Sequence, residues 1–313
     1  MWVFGAPATL RAMSAELPLR FYLDPGLRRH AEAGTHNFIN LICDTVSKAK
    51  FRVEYHTLPA PLFAPNVHAL SHMAPPATDL GLVFRKVYQY PFWQIDQTSE
   101  RWNWDVAKAA FDPGTVSRDA PRFYRFWQKR LFEDAPQDSR KDGYVYVPLQ
   151  GHLTRQRSFQ KCSPVEMIAH CLTHLPDRKI VATLHPGEGY SADALGQLDA
   201  LQRKHPLLTV SKGDMVAHLQ GCDFVVTQNS SAAYNGFFFG KPALLFAQID
   251  FHHIAIKADM NDLQSSFAQV QGHTPDYAAY IWWFWQSQSI NAGREDARDK
   301  IAARLRRFGW PID

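Results

Sequence analysis

Four cysteines stand in 313 residues, Cys43, Cys162, Cys171 and Cys222, and they are scattered. None forms a C-x-x-C pair and no spacing between them suits a metal, so neither a disulfide framework nor a structural zinc site is expected. Reduced thiols in a cytoplasmic protein are the simplest reading. No apolar run approaches the roughly 20 residues needed to span a bilayer. The opening MWVFGAPATLRAMSAELPLRF has no basic start ahead of a long apolar core, so no signal peptide is expected. Also missing are G-x-G-x-x-G after a strand, G-x-x-x-x-G-K-S/T, H-E-x-x-H and G-x-S-x-G. Those gaps argue against a dinucleotide oxidoreductase, a P-loop NTPase, a zinc protease and a serine hydrolase. Charge is not in strong excess either. A net charge of +4 leans toward anionic ligands without indicating nucleic acid.

What is present is a core-forming composition, 46% hydrophobic and 20% charged, in a chain long enough for one large or two ordinary domains. Leu17–Leu23 reads as a strand ending in the turn signal Asp24-Pro25-Gly26. Gly34-Thr35-His36-Asn37 leads into a helix from Phe38, and Phe51–Thr57 alternates as a strand, which makes a βαβ start. Leu58–Ala77 is Pro-rich and reads as a long loop. Leu80–Phe84 is a further strand, Tyr88–Trp104 is crowded with aromatics, and Pro121–Phe132 is an amphipathic helix. The polar stretch Glu133–Gly143 is the best linker between two domains, 1–138 and 139–313.

Beyond it the alternation is clean. Strands are expected at Tyr144–Leu149, Lys179–Leu184, Leu207–Val210, Phe224–Thr227 and Ala243–Phe246. Helices fall between them at Pro164–Leu175, which opens with a capping box, Ala192–Lys204, Asp214–Gln220 and Ala232–Phe239. Such alternation implies a parallel sheet covered on both faces, with ligands at the carboxyl ends of its strands. In that half those ends are Gln150, His185, Ser211 and Gln228 to Ser231. The densely aromatic Tyr277–Trp285 and the basic helix Arg294–Phe308 read better as internal packing than as a membrane-surface element.

Each candidate residue has a functional reading beside an ordinary one. Asn229, Ser230 and Ser231 hold a phosphate, or simply cap a helix. His185 with Pro186 donates to a phosphate or sugar oxygen, or is one surface turn among fourteen histidines. Lys212 neutralises a phosphate or is solvated, and Arg155 and Arg157 stand in the same position. Gln150 offers hydrogen bonds at a strand end. Glu188 binds a ribose hydroxyl or favours the next helix start. In the first half, Asp24 and His36 are candidates for proton transfer or acceptor binding, or are turn and helix-start residues.

The order Val147-Pro148-Leu149-Gln150, Leu184-His185-Pro186, Val225-Val226-Thr227-Gln228-Asn229-Ser230-Ser231 and Gly240-Lys241-Pro242 resembles the donor half of the bacterial capsule polysaccharide biosynthesis glycosyltransferases, including Kdo transferases that use CMP-Kdo. The resemblance covers about 144–250. It implies an α/β fold of two Rossmann-like domains facing across a cleft, the GT-B arrangement, with the nucleotide sugar on the C-terminal domain. His185, Pro186, Ser230 and Ser231, with Asn229 and Gln150, would then lie against the nucleotide and its phosphate. An acidic residue often follows the strand-end Gln in that family, whereas Gly151-His152 follows it here, and the acidic catalytic residues of the first half find no match. The activity implied is metal-independent transfer of a sugar from a nucleotide donor, with no cofactor, to a glycan or glycolipid acceptor at the inner face of a membrane. A catalytically degenerate nucleotide- or glycan-binding subunit and a nucleotide-sugar epimerase are the alternatives.

Overall fold

The structure, a computed structural model, describes residues 17–60 and 64–312. Most of the stretch read for a signal peptide lies outside them. The strands are β1 (Leu17–Leu23), β2 (Phe51–Thr57), β3 (Ala64–His72), β4 (Thr78–Lys86), β5 (Phe92–Asp96), β6 (Tyr144–Pro148), β7 (Lys179–Leu184), β8 (Leu208–Lys212), β9 (Phe224–Thr227), β10 (Ala243–Leu245), β11 (Ile256–Lys257) and β12 (Ile290–Asn291). They form two six-stranded sheets, ordered β12-β5-β4-β3-β1-β2 and β11-β10-β9-β6-β7-β8. Helices are interleaved with both, so the chain is α/β as expected. Two compact units result, 1–99 with 290–313, and 100–289.

In the first unit β1 to β4 run parallel, and β5 and β12 close one edge antiparallel. Two expectations change here. The turn expected at Asp24-Pro25-Gly26 is the start of a helix, Pro25–Glu32. Asp24 accepts from Leu27 N and proline takes the first helical turn, a start that a glycine at the next position does not prevent. The loop expected over 58–77 contains β3, paired on both sides by β1 and β4. Its proline-rich flanks hid it. His68, Ala69, Leu70 and Ser71 are buried, as a central parallel strand requires. The helices Asn37–Ser47 and Ala297–Arg307 cover one face, burying Phe38, Ile42, Ile301 and Leu305 in one core with Phe21 and Phe84.

In the second unit the whole sheet is parallel. Ser163 and Glu166 form the expected capping box at the start of Pro164–His174. The residues expected as a linker are tied into this unit. Arg140 N and Asp142 N donate to Gln220 O and Gly221 O, Ser139 Oγ donates to Phe239 O, and Lys241 Nζ donates to Arg140 O. The segment is largely exposed, yet these bonds fix it to the unit rather than leaving it as a free linker. The division between units falls instead at 99/100 and 289/290. The aromatic run after Tyr277 is interior: Tyr280, Phe284 and Trp285 are fully buried, with Phe284 and Trp285 against Tyr234 and Tyr280 against Phe284. No helix of the described residues is long and apolar enough to cross a membrane.

Candidate functional site

The second sheet has a switch point. From β6 the chain winds outward to β7 and β8 on one side, and later to β9, β10 and β11 on the other. The crevice outside the carboxyl ends of β6 and β9 is where such sheets take ligands. Gln150 follows β6 and Gln228 follows β9, so the two glutamines flank it. Gln228 is 2% exposed, and its Nε2 donates to Cys162 O at 3.0 Å. The Oε1 atoms of Gln150 and Gln228 are both buried without a hydrogen-bond partner. An unmet buried carbonyl oxygen costs about 1–3 kcal/mol, so the fold retains two costs at this one place.

The chain roofs the crevice with its own strap. After β6, residues 159–161 run alongside 246–248 beyond β10. Gln160 bridges Ala247, Lys161 N donates to Phe246 O at 2.8 Å, and Gln248 N donates to Phe159 O at 2.9 Å. β9 lies between β6 and β10, so the strap passes across the end of β9. On the strap, the Arg157 guanidinium lies 4.8 Å over the Phe159 ring, and Phe159 stacks on Trp102 at 4.7 Å. Burial holds Arg157 below the usual arginine range, with Glu188 opposing the shift. A Cβ on Gly151 would come within 3.3 Å of Glu188 Oε2 and 3.7 Å of Arg157 Nη1, which puts the three residues in one corner. Beside the strap a cavity of about 180 Å³ is lined by Trp102, Lys161, Gln248, His252 and Lys257, at the ends of β10 and β11.

The remaining candidates spread along the same edge. His185 is exposed, and its Nδ1 accepts from Gly187 N at 3.2 Å, which leaves the proton on Nε2 as an outward donor. Pro186 packs toward Gly213, so the His-Pro turn sits beside the end of β8 and Lys212. Ser230 Oγ accepts from Ala232 N and caps a helix, Ser231–Gly236, that tightens into a 3₁₀ turn over Phe237–Phe239. That helix is shorter than expected, which weakens the field at its start. Ser231 is exposed at the first turn, and Asn229 Nδ2 reaches Gln248 O at 3.5 Å. Lys212 ends β8, three strands from β9, or roughly 14 Å at ordinary strand spacing. It therefore serves a different part of any ligand than Ser230 does.

Asp24 and His36 belong to the first unit. His36 caps Asn37–Ser47, its Nδ1 accepting from Ile39 N at 3.2 Å, and its ring meets Trp93 edge-on. That bond leaves its proton on Nε2, so His36 offers a donor rather than a base. Asp24 has an unforeseen neighbour, His72, at the end of β3. The missed strand hid it. Val67-His68-Ala69-Leu70-Ser71 between two proline clusters was the available signal. Among the described residues no group of three or more His, Cys, Asp or Glu is placed to hold a metal ion.

No protein-family model matches the chain, and no curated protein matches it. Solved structures do. A beta Kdo 2,7 transferase, KpsC of Thermosulfurimonas dismutans, aligns with a TM-score of 0.52 at 10% identity, covering 85% of this chain and 89% of that one. A beta Kdo 2,4 transferase, also KpsC of that organism, gives 0.50 at 11% identity with the same coverage. The likeness is one of fold: the chain is built as GT-B-type α/β proteins are built.

Proposed function

We propose that this chain is a metal-independent glycosyltransferase that takes a nucleotide-sugar donor, in the leading form a CMP-sugar such as CMP-Kdo, and delivers the sugar to a surface polysaccharide or glycolipid. One observation carries the reading: two buried, unpartnered glutamine oxygens flank the switch point of an all-parallel sheet. The terminal torsion of glutamine is soft, so a small turn brings either oxygen to a hydroxyl or amine of a bound nucleotide. The fold shared with two Kdo transferases supports the choice of chemistry.

In this reading Gln150 and Gln228 receive donor groups on the nucleotide, Glu188 takes a ribose hydroxyl, and Asn229, Ser230 and Ser231 lie against the phosphate. His185, with its outward Nε2–H, stabilises the charge that develops as the phosphate leaves, and Pro186 fixes the turn that presents the imidazole, while Lys212, three strands from the serine loop, serves another part of the donor. The work of the site is positioning and electrostatic stabilisation, both strengthened where water is excluded. Calorimetric titration with CMP, UDP and GDP tests it. Binding of one nucleotide, weakened by Gln150→Ala, is expected; binding of none would end the proposal.

A further inference from the structure

The cavity of about 180 Å³ beside the strap belongs wholly to the second unit. Its lining holds two ammonium groups, those of Lys161 and Lys257, and no carboxylate. Asp250, close to His252, is 1% exposed and stands outside the lining. Like charges around one space repel. An anion between them relieves that repulsion and takes a charge-assisted hydrogen bond from each. Both lysines have N–H groups to give. Lys161 Nζ donates to Ala258 O, which holds the ammonium in place and leaves it further donors. Lys257 ends β11 and is exposed.

The other walls suit a sugar ring. Trp102 is backed by Phe159 at 4.7 Å, so its indole is a fixed apolar platform for the C–H face of a ring. His252 Nδ1 lies 2.7 Å from Ile249 O, which puts the proton on that nitrogen and leaves Nε2 to accept from a hydroxyl. Stacking on His253 at 4.4 Å fixes the imidazole, and burial lowers its proton affinity, so it is neutral at neutral pH. Whole drug-sized ligands fill about 300–1,000 Å³, so this cavity takes one ring rather than nucleotide and sugar together. Register puts it next to the serine loop. Thr227, Leu245 and Lys257 are level on β9, β10 and β11, and Leu245 lines the cavity. From the end of β9 to Lys257 is two strand spacings, roughly 10 Å, which a sugar ring and a lysine side chain span between them. Asn229 Nδ2 reaches the rim at Gln248 O. A phosphate at the serine loop stands beside the cavity, so the anion inside belongs to what the phosphate carries.

We propose that this cavity holds the sugar of the donor and that the sugar is an acid, with its carboxylate between Lys161 and Lys257, a C–H face on Trp102 and a hydroxyl donating to His252 Nε2. The proposal rests on the nucleotide-sugar reading for the phosphate and on the cavity's own lining for the acid.

The test uses the full chain and two variants, Lys257→Met and Lys257→Arg. The lysine is exposed on a two-residue strand, so neither change disturbs a core. Calorimetry compares CMP with CMP-Kdo, and UDP with UDP-glucose and UDP-glucuronate, the last two differing by a hydroxymethyl against a carboxylate. For the nucleotide that binds, Lys257→Met is expected to weaken the acidic nucleotide sugar about tenfold or more and to leave the bare nucleotide unchanged, while Lys257→Arg keeps both. An equal loss for the bare nucleotide would assign the lysine to the phosphate and overturn the proposal. So would an unchanged acidic sugar, or UDP-glucose matching UDP-glucuronate where uridine binds. Saturation-transfer NMR with free glucuronate and glucose needs no nucleotide. Glucuronate is expected to receive saturation that Lys257→Met abolishes, and glucose to receive none. If no nucleotide binds, that signal keeps the acid site while the transferase reading falls; its absence then overturns both.

Discussion

Replacing Gln228 by Met is expected to leave stability within about 1 kcal/mol of the original while weakening nucleotide binding by roughly tenfold or more. The side chain is 2% exposed, so each polar atom matters. Its Oε1 is buried without a partner, and removing an unmet oxygen gains about 1–3 kcal/mol. Its Nε2 donates to Cys162 O at 3.0 Å, and removing that donor leaves the carbonyl unmet at a similar cost of opposite sign. Methionine conserves most of the volume, so packing adds little. The terms nearly cancel in the free protein. They do not cancel in the complex, where the oxygen finds its partner. Urea denaturation measures the first quantity and calorimetry with the nucleotide the second. Destabilisation above about 3 kcal/mol would show that Oε1 is already satisfied in the free protein, and unchanged affinity would show that the amide only ties the strap; either refutes the reasoning.

Burial depresses His253 to about 4, from an ordinary 6.5. Its Nε2–H is placed to donate to Ala109 O and its Nδ1 to accept from Tyr280 Oη. The unfolded chain binds that proton more readily, so stability is full above pH 6.5 and falls by about 3 kcal/mol toward pH 4; urea midpoints across that range, flattened in His253→Gln, check it. Burial lowers Lys241 as well, below its ordinary 10.5. Here too the unfolded state holds the proton more tightly, so stability rises with pH from the folded value up to about 10.5, and Lys241→Met is expected to lose that alkaline gain in urea denaturation. Gly81→Ala sets a Cβ 2.9 Å from the Thr78 carbonyl oxygen, a backbone atom that cannot swing away. A loss of about 1–3 kcal/mol in urea denaturation is expected.

The second unit was legible because each of its elements agrees with itself locally. Phe224–Thr227 is apolar on both faces and is a buried parallel strand; Ser163 and Glu166 spell a capping box and make one. The first unit was less legible because its decisive strand contradicts its surroundings. β3 lies among prolines, and its central place is set by pairing with β1 and β4, which no local pattern records. His72 was lost with it. Asp24 is legible as a candidate at a strand end, but its local structure reads as a turn, since Pro25-Gly26 reads as a stop unless the aspartate is recognised as a cap. In the donor region the strand ends were legible and their separations were not. Residue order puts Lys212 next to the His-Pro turn and near the serine loop alike, whereas strand order sets it beside the first and three strands from the second.

The strap bears on how a nucleotide would enter. Residues 159–162 are held to the sheet by Gln228, Phe246 and Gln248, so they form a fixed end. Residues 156–160 are bonded mainly to themselves: Gln156 Nε2 to Gln160 O, Arg157 N to Gln160 Oε1 and Gln160 N to Arg157 O. All three bonds end on Gln160, which its bridge to Ala247 holds, and Leu153 is 1% exposed with its carbonyl accepting from Val165 N, so the strap is pinned at both ends. It begins at Gly151, at φ +53, in the left-handed region where glycine has most freedom. The unmet polar atoms of Gln150 and Arg157 sit toward the Gly151 end of the strap, and that of Gln228 sits under residues 159–162. Binding that repairs the first two therefore works by side-chain turns within a held strap. Binding that reaches Gln228 needs only a turn of its own side chain.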